Sequence, residues 1–190
     1  MTVKLPTASD YDTLYQRYHT PGHIQEHMRV VGLVAEQLAT ARVRLGDEIN
    51  LALLQAAAWL HDVVRLPEQW QYLPTTISTP AAHAEINYQI LFPQWPAVAQ
   101  VVRAHSLMRI MNDHCFNNQT EKILYYADKR VNHTTVVSLA ERLQLGQQRW
   151  QVDPNHNQQA ELLQRLTQLE DDLFTGLTIQ PHDLAATHPA

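Results

Sequence analysis

Residues 51–65 read LALLQAAAWLHDVVR. Leucine and alanine dominate this stretch, and Leu51, Leu54, Ala58 and His61 fall on one stripe at helical spacing. The pattern predicts a helix over about residues 48–64, recapped after a break at Gly46-Asp47. An apolar stripe faces a core, so His61 is expected to point inward with Asp62 beside it. An unpaired charge in a core is very costly, so these two residues need partners.

The flanking chain also reads as helices. Thr20-Pro21 predicts a helix start, with Thr20 as N-cap and Pro21 in the first helical position. That helix is expected to run to about Ala41, with His27, Val31, Val34 and Leu38 on one face. Residues 66–79 hold two prolines and two aromatics, Trp70 and Tyr72, and read as a loop or lid. Its aromatics are suited either to stacking on a nucleobase or to covering the core. Thr79-Pro80 repeats the start signal, and His83, Ile86, Asn87 and Ile90 share a face of the short helix that follows. Pro93 and Pro96 punctuate the chain before a helix lined by Val98, Val101, Val102 and His105. After a polar loop, Asn118 and Glu121 resemble a capping box. The helix they open carries Leu124, Ala127, Asp128 and Val131. A further helix is expected over about 136–145, ending at Gly146. Leu162, Leu166, Leu169 and Leu173 are spaced for one amphipathic helix near the C-terminal end. The expected fold is all-α: a compact helical bundle over 1–146, with a C-terminal helical extension over 147–190 packed on it.

Composition narrows the function. Of 190 residues 45% are hydrophobic and only 5 are glycine, which suits a helical core better than a sheet with many tight turns. A net charge of −5 gives no basic excess for a nucleic-acid polymer, so a small anionic ligand is the better partner. The lone Cys115 rules out a disulfide within the chain and points to a reducing compartment. Residues 1–10 do not read as a signal peptide, and no apolar run approaches the roughly 18 residues of a membrane span. A cytoplasmic protein without a membrane partner is expected, and the C-terminal helix leaves a homodimer open.

The 11 histidines are the unusual feature. His27, His61 with Asp62, His83, His105 and Asp128 sit on the apolar stripes of five successive predicted helices. One histidine on such a face is usually a hydrogen-bonded core residue, and Asp128 alone could pair with Lys129 or Arg130. Five helices doing the same thing point instead to a shared metal. Imidazole and carboxylate suit zinc, iron, manganese, cobalt or nickel.

These residues carry a resemblance. His27 within HMRVV, His61-Asp62 within WLHDVV and Asp128 within ILYYADKRV resemble the ordered motifs of the HD superfamily, over roughly residues 18–133. HAEINYQIL and VVRAH resemble two further motifs of its two-metal branch, which bring in His83 and His105. The resemblance implies a metal-dependent phosphohydrolase with six ligands for one or two divalent ions, Asp62 bridging them. Asn87 departs from the family's frequent glycine, which puts local helix packing in question. The chain lacks the GYP stretch and paired histidines of the cyclic-dinucleotide phosphodiesterases. It has Arg65 where the deoxynucleotidase branch usually has glutamate. A basic residue there, with Ala127-Asp128-Lys129, is similar to the bacterial symmetrical dinucleoside-tetraphosphate hydrolases.

Three more residues are candidates. Arg65 lies four positions after His61, on the same face if the helix persists, and suits a bidentate phosphate contact. Lys129, beside Asp128, is a second candidate for phosphate. His23, one turn before His27, is a candidate proton carrier. His133 is expected to point away, and His114 and His156 to be solvated. The leading reading is hydrolysis of a phosphoester or phosphoanhydride in a nucleotide-type substrate by a metal-activated water. The alternatives are a non-catalytic nucleotide or metal sensor of the same fold, and a helical interaction module with structural histidines.

Overall fold

A computed structural model describes residues 3–77, 82–150 and 156–185, with the backbone alone for 147–150 and 156–157. The architecture is all-α, apart from one two-stranded hairpin among the described residues. In chain order the helices are α1 (Ala8–Arg17), α2 (Gly22–Leu45), α3 (Leu51–Leu60), α4 (His83–Leu91), α5 (Pro96–Arg103) and α6 (Gln119–Arg130). The strands β1 (Val131–Asn132) and β2 (Thr135–Val136) follow, then α7 (Leu139–Trp150) and α8 (His156–Phe174).

The long helix α2 packs against both α3 and α6, while α5 covers α3 and α4 covers α5. Close approach of α2 and α3 depends on Gly32, where an added Cβ would come within 2.8 Å of Trp59 Nε1. Above that crossing α2 buries Met28, Val31, Val34, Ala35 and Leu38, and α3 buries Leu54, Ala57, Ala58 and Leu60. α6 is buried on all sides from Ile123 to Arg130, so its charged residues need internal partners. Lys129 and Arg130 find them, as described below.

Several boundaries differ from the expectation, each for a local reason. α2 begins at Gly22 because Thr20 does not cap it. The Thr20 hydroxyl donates instead to the Val63 carbonyl at 2.8 Å. α2 runs past Ala41 to Leu45 and stops at Gly46, whose φ of +109° turns the chain out of the helix. α3 starts three residues later than expected because Asn50 caps it, its Oδ1 accepting from Leu53 N at 3.0 Å. The proposed cap at Thr79-Pro80 lies outside the described residues. The loop after Leu66 contains a short 3-10 turn over Pro67–Tyr72. The hairpin at 131–136 was not anticipated, and α7 continues through Gly146 to Trp150.

The C-terminal part docks on this bundle. Leu162, Leu166, Leu169 and Leu173 of α8 are all buried, as their spacing predicts. Arg130 ties them to α6: its Nη1 pairs with Glu170 Oε2 at 2.9 Å and also meets the Tyr126 hydroxyl, Nη2 donates to the Pro181 carbonyl at 3.0 Å, and Nε donates to the Val137 carbonyl. Gln37 on α2 exchanges two hydrogen bonds with the Ala185 backbone. Leu166→Ala is expected to cost about 2–5 kcal/mol, the usual price of a fully buried leucine. In urea unfolding we expect one cooperative transition at lower denaturant; an unshifted midpoint would mean that α8 unfolds separately from the bundle.

Candidate metal centre

The chain leaves α3 at His61, and what ends the helix also shapes the site. Val64 N does not continue the helical ladder; it donates to Asn87 Oδ1 at 3.0 Å. The amides of Arg65 and Leu66 both donate to Gln69 Oε1, at 2.8 and 2.9 Å. Gln69 Nε2 in turn donates to the carbonyls of Tyr18 and Val63. Side-chain oxygens thus replace the helical acceptors, and Pro67 disfavours helix at Leu66. The helix does not persist, so Arg65 does not share a helical face with His61. It reaches the site because the Gln69-held turn folds it back over Asp62. Asn87 does more than stand in for a glycine. Its Nδ2 donates to the carbonyls of Val64, at 2.8 Å, and His83, at 2.9 Å, clamping the turn to α4.

The six proposed ligand residues converge from α2, the end of α3, α4, the end of α5, and α6. They form two groups, His27–His61–Asp128 and Asp62–His83–His105, and within each the ligand atoms lie within 4.8 Å of one another. In the first, Asp128 Oδ1 is 3.2 Å from His27 Nε2 and 3.6 Å from His61 Nε2. In the second, Asp62 Oδ1 is 3.3 Å from His83 Nε2 and 3.4 Å from His105 Nε2. Asp62 Oδ2 also lies 3.7 Å from His61 Nε2, so this carboxylate stands between the groups.

The tautomers follow from the backbone. His27 Nδ1 faces the carbonyl of His133 at 2.9 Å, His61 Nδ1 that of Ala58 at 2.8 Å, and His105 Nδ1 that of Val102 at 2.5 Å. A carbonyl only accepts, so each Nδ1 carries the proton and each neutral ring turns an Nε2 lone pair inward. Lone pairs then face carboxylate oxygens with no proton between them. Among the described residues, His61 Nε2 and Asp62 Oδ1 are buried without a hydrogen-bond partner. A divalent cation is the group that satisfies such a set, and the residues fit one in each triad.

The electrostatics favour neutral rings at His83 and His105 and oppose one at His61, where two carboxylates draw positive charge. Burial opposes the charge on Asp62, but the neighbouring His61, His83, His105 and Arg65 side chains hold its carboxyl well below the usual range. Burial likewise opposes Asp128, whose carboxyl is held down by Lys129, His27 and His61. Burial pushes the imidazoles of His83 and His105 below their ordinary value, keeping them in the neutral form a metal needs. For His61, burial is outweighed by Asp62 and Asp128, which raise it.

The remaining candidates occupy different settings. Arg65 is about one quarter exposed, with Nε 3.4 Å from Asp62 Oδ2 and Nη1 2.7 Å from His83 Nδ1. Lys129 is buried: its ammonium donates to the His105 carbonyl at 2.8 Å, pairs with Asp128 Oδ2, and lies over the Tyr125 ring. It bridges the two triads from behind; the pair with Asp128 was open to the sequence, the bond to the His105 carbonyl was not. His23 is exposed on the first turn of α2 and has no hydrogen bond to either triad. Tyr72 stacks on His19 with ring centroids 4.0 Å apart, and Trp70 packs partly buried on the core. His133, expected to point away, contributes its carbonyl to His27 from a left-handed backbone with φ of +56°. Gln69 and the buttressing carbonyls were missed, because a polar residue in a loop and a backbone oxygen carry no spacing signal.

The HD domain profile matches residues 24–146, more than half of the sequence. The chain belongs to the HD domain family. Members of this family are generally metal-dependent phosphohydrolases, and both His/Asp groups of this HD domain could hold metal ions. No curated protein and no solved structure matches the chain. No helix among its described residues is long and apolar enough to cross a membrane.

Two expectations follow for this HD domain. His61→Ala and Asp62→Ala should each lower bound transition metal, measured by elemental analysis after gel filtration; full metal content in both would remove the metal reading. Asn87→Ala leaves the buried amide and carbonyl of Val64 without partners, at a cost of about 1–3 kcal/mol. Thermal unfolding should show that loss, and an unchanged midpoint would mean that the clamp contributes nothing.

Proposed function

We propose that this HD domain hydrolyses a phosphoester or phosphoanhydride bond in a nucleotide-type substrate. The observation that carries the reading is the pair of complete, facing triads with a carboxylate between them. Non-catalytic sensing would not require both sets to be intact. When bound, divalent ions such as iron, manganese, cobalt, nickel or zinc would supply Lewis acidity toward a phosphoryl oxygen and acidify water near neutral pH.

The chain's own residues would do the rest. Asp62 would serve both triads, Oδ1 toward the second and Oδ2 toward His61. Arg65, at the exposed edge of the second triad, would take phosphate oxygens in its planar fork and hold the phosphorus in register. Lys129 was a candidate for the same task, but its burial suits it better to fixing Asp128 than to meeting substrate. His23, one turn from His27 and open to solvent, would carry a proton between the site and water. A dinucleoside polyphosphate is the finer proposal, resting on the basic Arg65 and on Ala127-Asp128-Lys129.

The test is a hydrolysis screen over mononucleotides, dinucleoside polyphosphates and an aryl phosphate, with Mn, Fe, Co, Ni or Mg supplied. We expect turnover that chelator abolishes. Arg65→Ala should lose about 10- to 100-fold in catalytic efficiency while the first ion stays bound, since a charged hydrogen bond is typically worth about 1.5–3 kcal/mol. Metal binding without turnover of any phosphate ester would favour a sensor.

A further inference from the structure

The two carboxylates are built alike. Each turns Oδ1 toward the imidazoles of its triad and gives Oδ2 to a cation: Lys129 for Asp128 and Arg65 for Asp62. The cations differ in how firmly they are held. Lys129 is buried and also bonded to the His105 carbonyl, so it cannot leave without stranding a charge in the core. Arg65 has a side chain 27% exposed, and its Nε is 3.4 Å from Asp62. Its Nη1 lies against both ring nitrogens of His83, at 2.7 and 3.0 Å. The His83 ring is about one quarter exposed and meets His105 Nε2 at 2.9 Å, but among the described residues no backbone carbonyl bonds it, whereas His27, His61 and His105 are each fixed by one.

We propose that Arg65 is a resident counter-cation of the second triad, which it yields to a metal ion when a phosphate group draws the guanidinium outward. The first triad then holds its ion firmly and alone, and the second fills together with phosphate. Two of the three side chains that would hold the second ion already face a positive group. A divalent ion arriving there meets like charge at short range and a ring held by side chains rather than by backbone. A phosphate offers the guanidinium a bidentate partner at the exposed edge, relieving that repulsion, and by linkage the second ion must then strengthen phosphate binding to the same degree. The proposal rests on the metal-centre reading and on Arg65 meeting phosphate; it does not require that the bound phosphate be cleaved.

The test is calorimetric titration of the full, metal-depleted chain with Mn²⁺, with and without inorganic phosphate. Wild type, Arg65→Gln, Arg65→Met and Arg65→Lys are compared. The first-ion affinity, unchanged across the set, doubles as the folding check. In wild type we expect one tight and one weak ion. Removing the charge in Arg65→Gln and Arg65→Met should tighten the second by about tenfold, the size of a unit-charge repulsion of a divalent ion a few ångströms away in a solvated setting. Arg65→Lys, which keeps the charge, should stay weak. Phosphate should tighten the second ion more in wild type than in the neutral variants. Equal second-ion affinity in wild type and both neutral variants would overturn the proposal, as would the lack of a second ion in all four proteins. Failure of the hydrolysis screen beside a tightened second ion would instead overturn the catalytic reading and leave this one standing.

Discussion

Neutral imidazoles held with their lone pairs toward carboxylates, inside a helical core, are the constraint on which the rest of this structure depends. The arrangement is unfavourable unless a cation sits among the groups, and it persists because each contributing element is fixed from behind. Three carbonyls hold three rings, Lys129 holds Asp128, and the Asn87 and Gln69 side chains hold the turn that presents Asp62. Apolar packing sets the distance between helices, but the polar contacts set the aim of the ligand atoms. The core supplies a rigid frame because α2, α3 and α6 meet over small residues and fully buried aliphatics.

That division explains what could be read from the sequence. The helices were legible because leucine, valine and alanine recur at helical spacing, and the convergence of His27, His61, His83, His105 and Asp128 followed from their lying on those stripes. Helix ends were less legible. Thr20 looks like a cap but spends its hydroxyl on Val63, and α3 ends early because Asn87 and Gln69 take over its amides. Both outcomes depend on residues distant in sequence or on a loop conformation, and neither leaves a periodic trace. The setting of Lys129 was hidden for a similar reason: one position from a ligand it reads as a candidate for phosphate or a partner for Asp128, and only the packing of α6 on all sides shows that it is internal.

The same logic separates the two triads. One lies wholly among buried groups, its rings anchored by backbone and its carboxylate paired with an internal lysine. The other opens toward solvent through His83 and Arg65. A centre built this way has a fixed half and an adjustable half, and Asp62 and Lys129 connect them. Asp62 reaches toward both sets of ligand atoms, and Lys129 touches Asp128 with its charge and the His105 carbonyl with an N–H. Displacement of either α5 or α6 is therefore felt in both halves.

The carbonyl of His133 adds a consequence of another kind. It reaches His27 only because the chain leaves α6 through a two-stranded hairpin with His133 in a left-handed turn. The five-residue interval from Asp128 to His133 is thus a ruler between a side-chain ligand and the backbone group that aims a second ligand on another helix. Inserting or deleting one residue there would keep every ligand in the sequence yet swing the carbonyl off the imidazole. Divergence in this HD domain should therefore be freer in the identity of the hairpin residues than in their number.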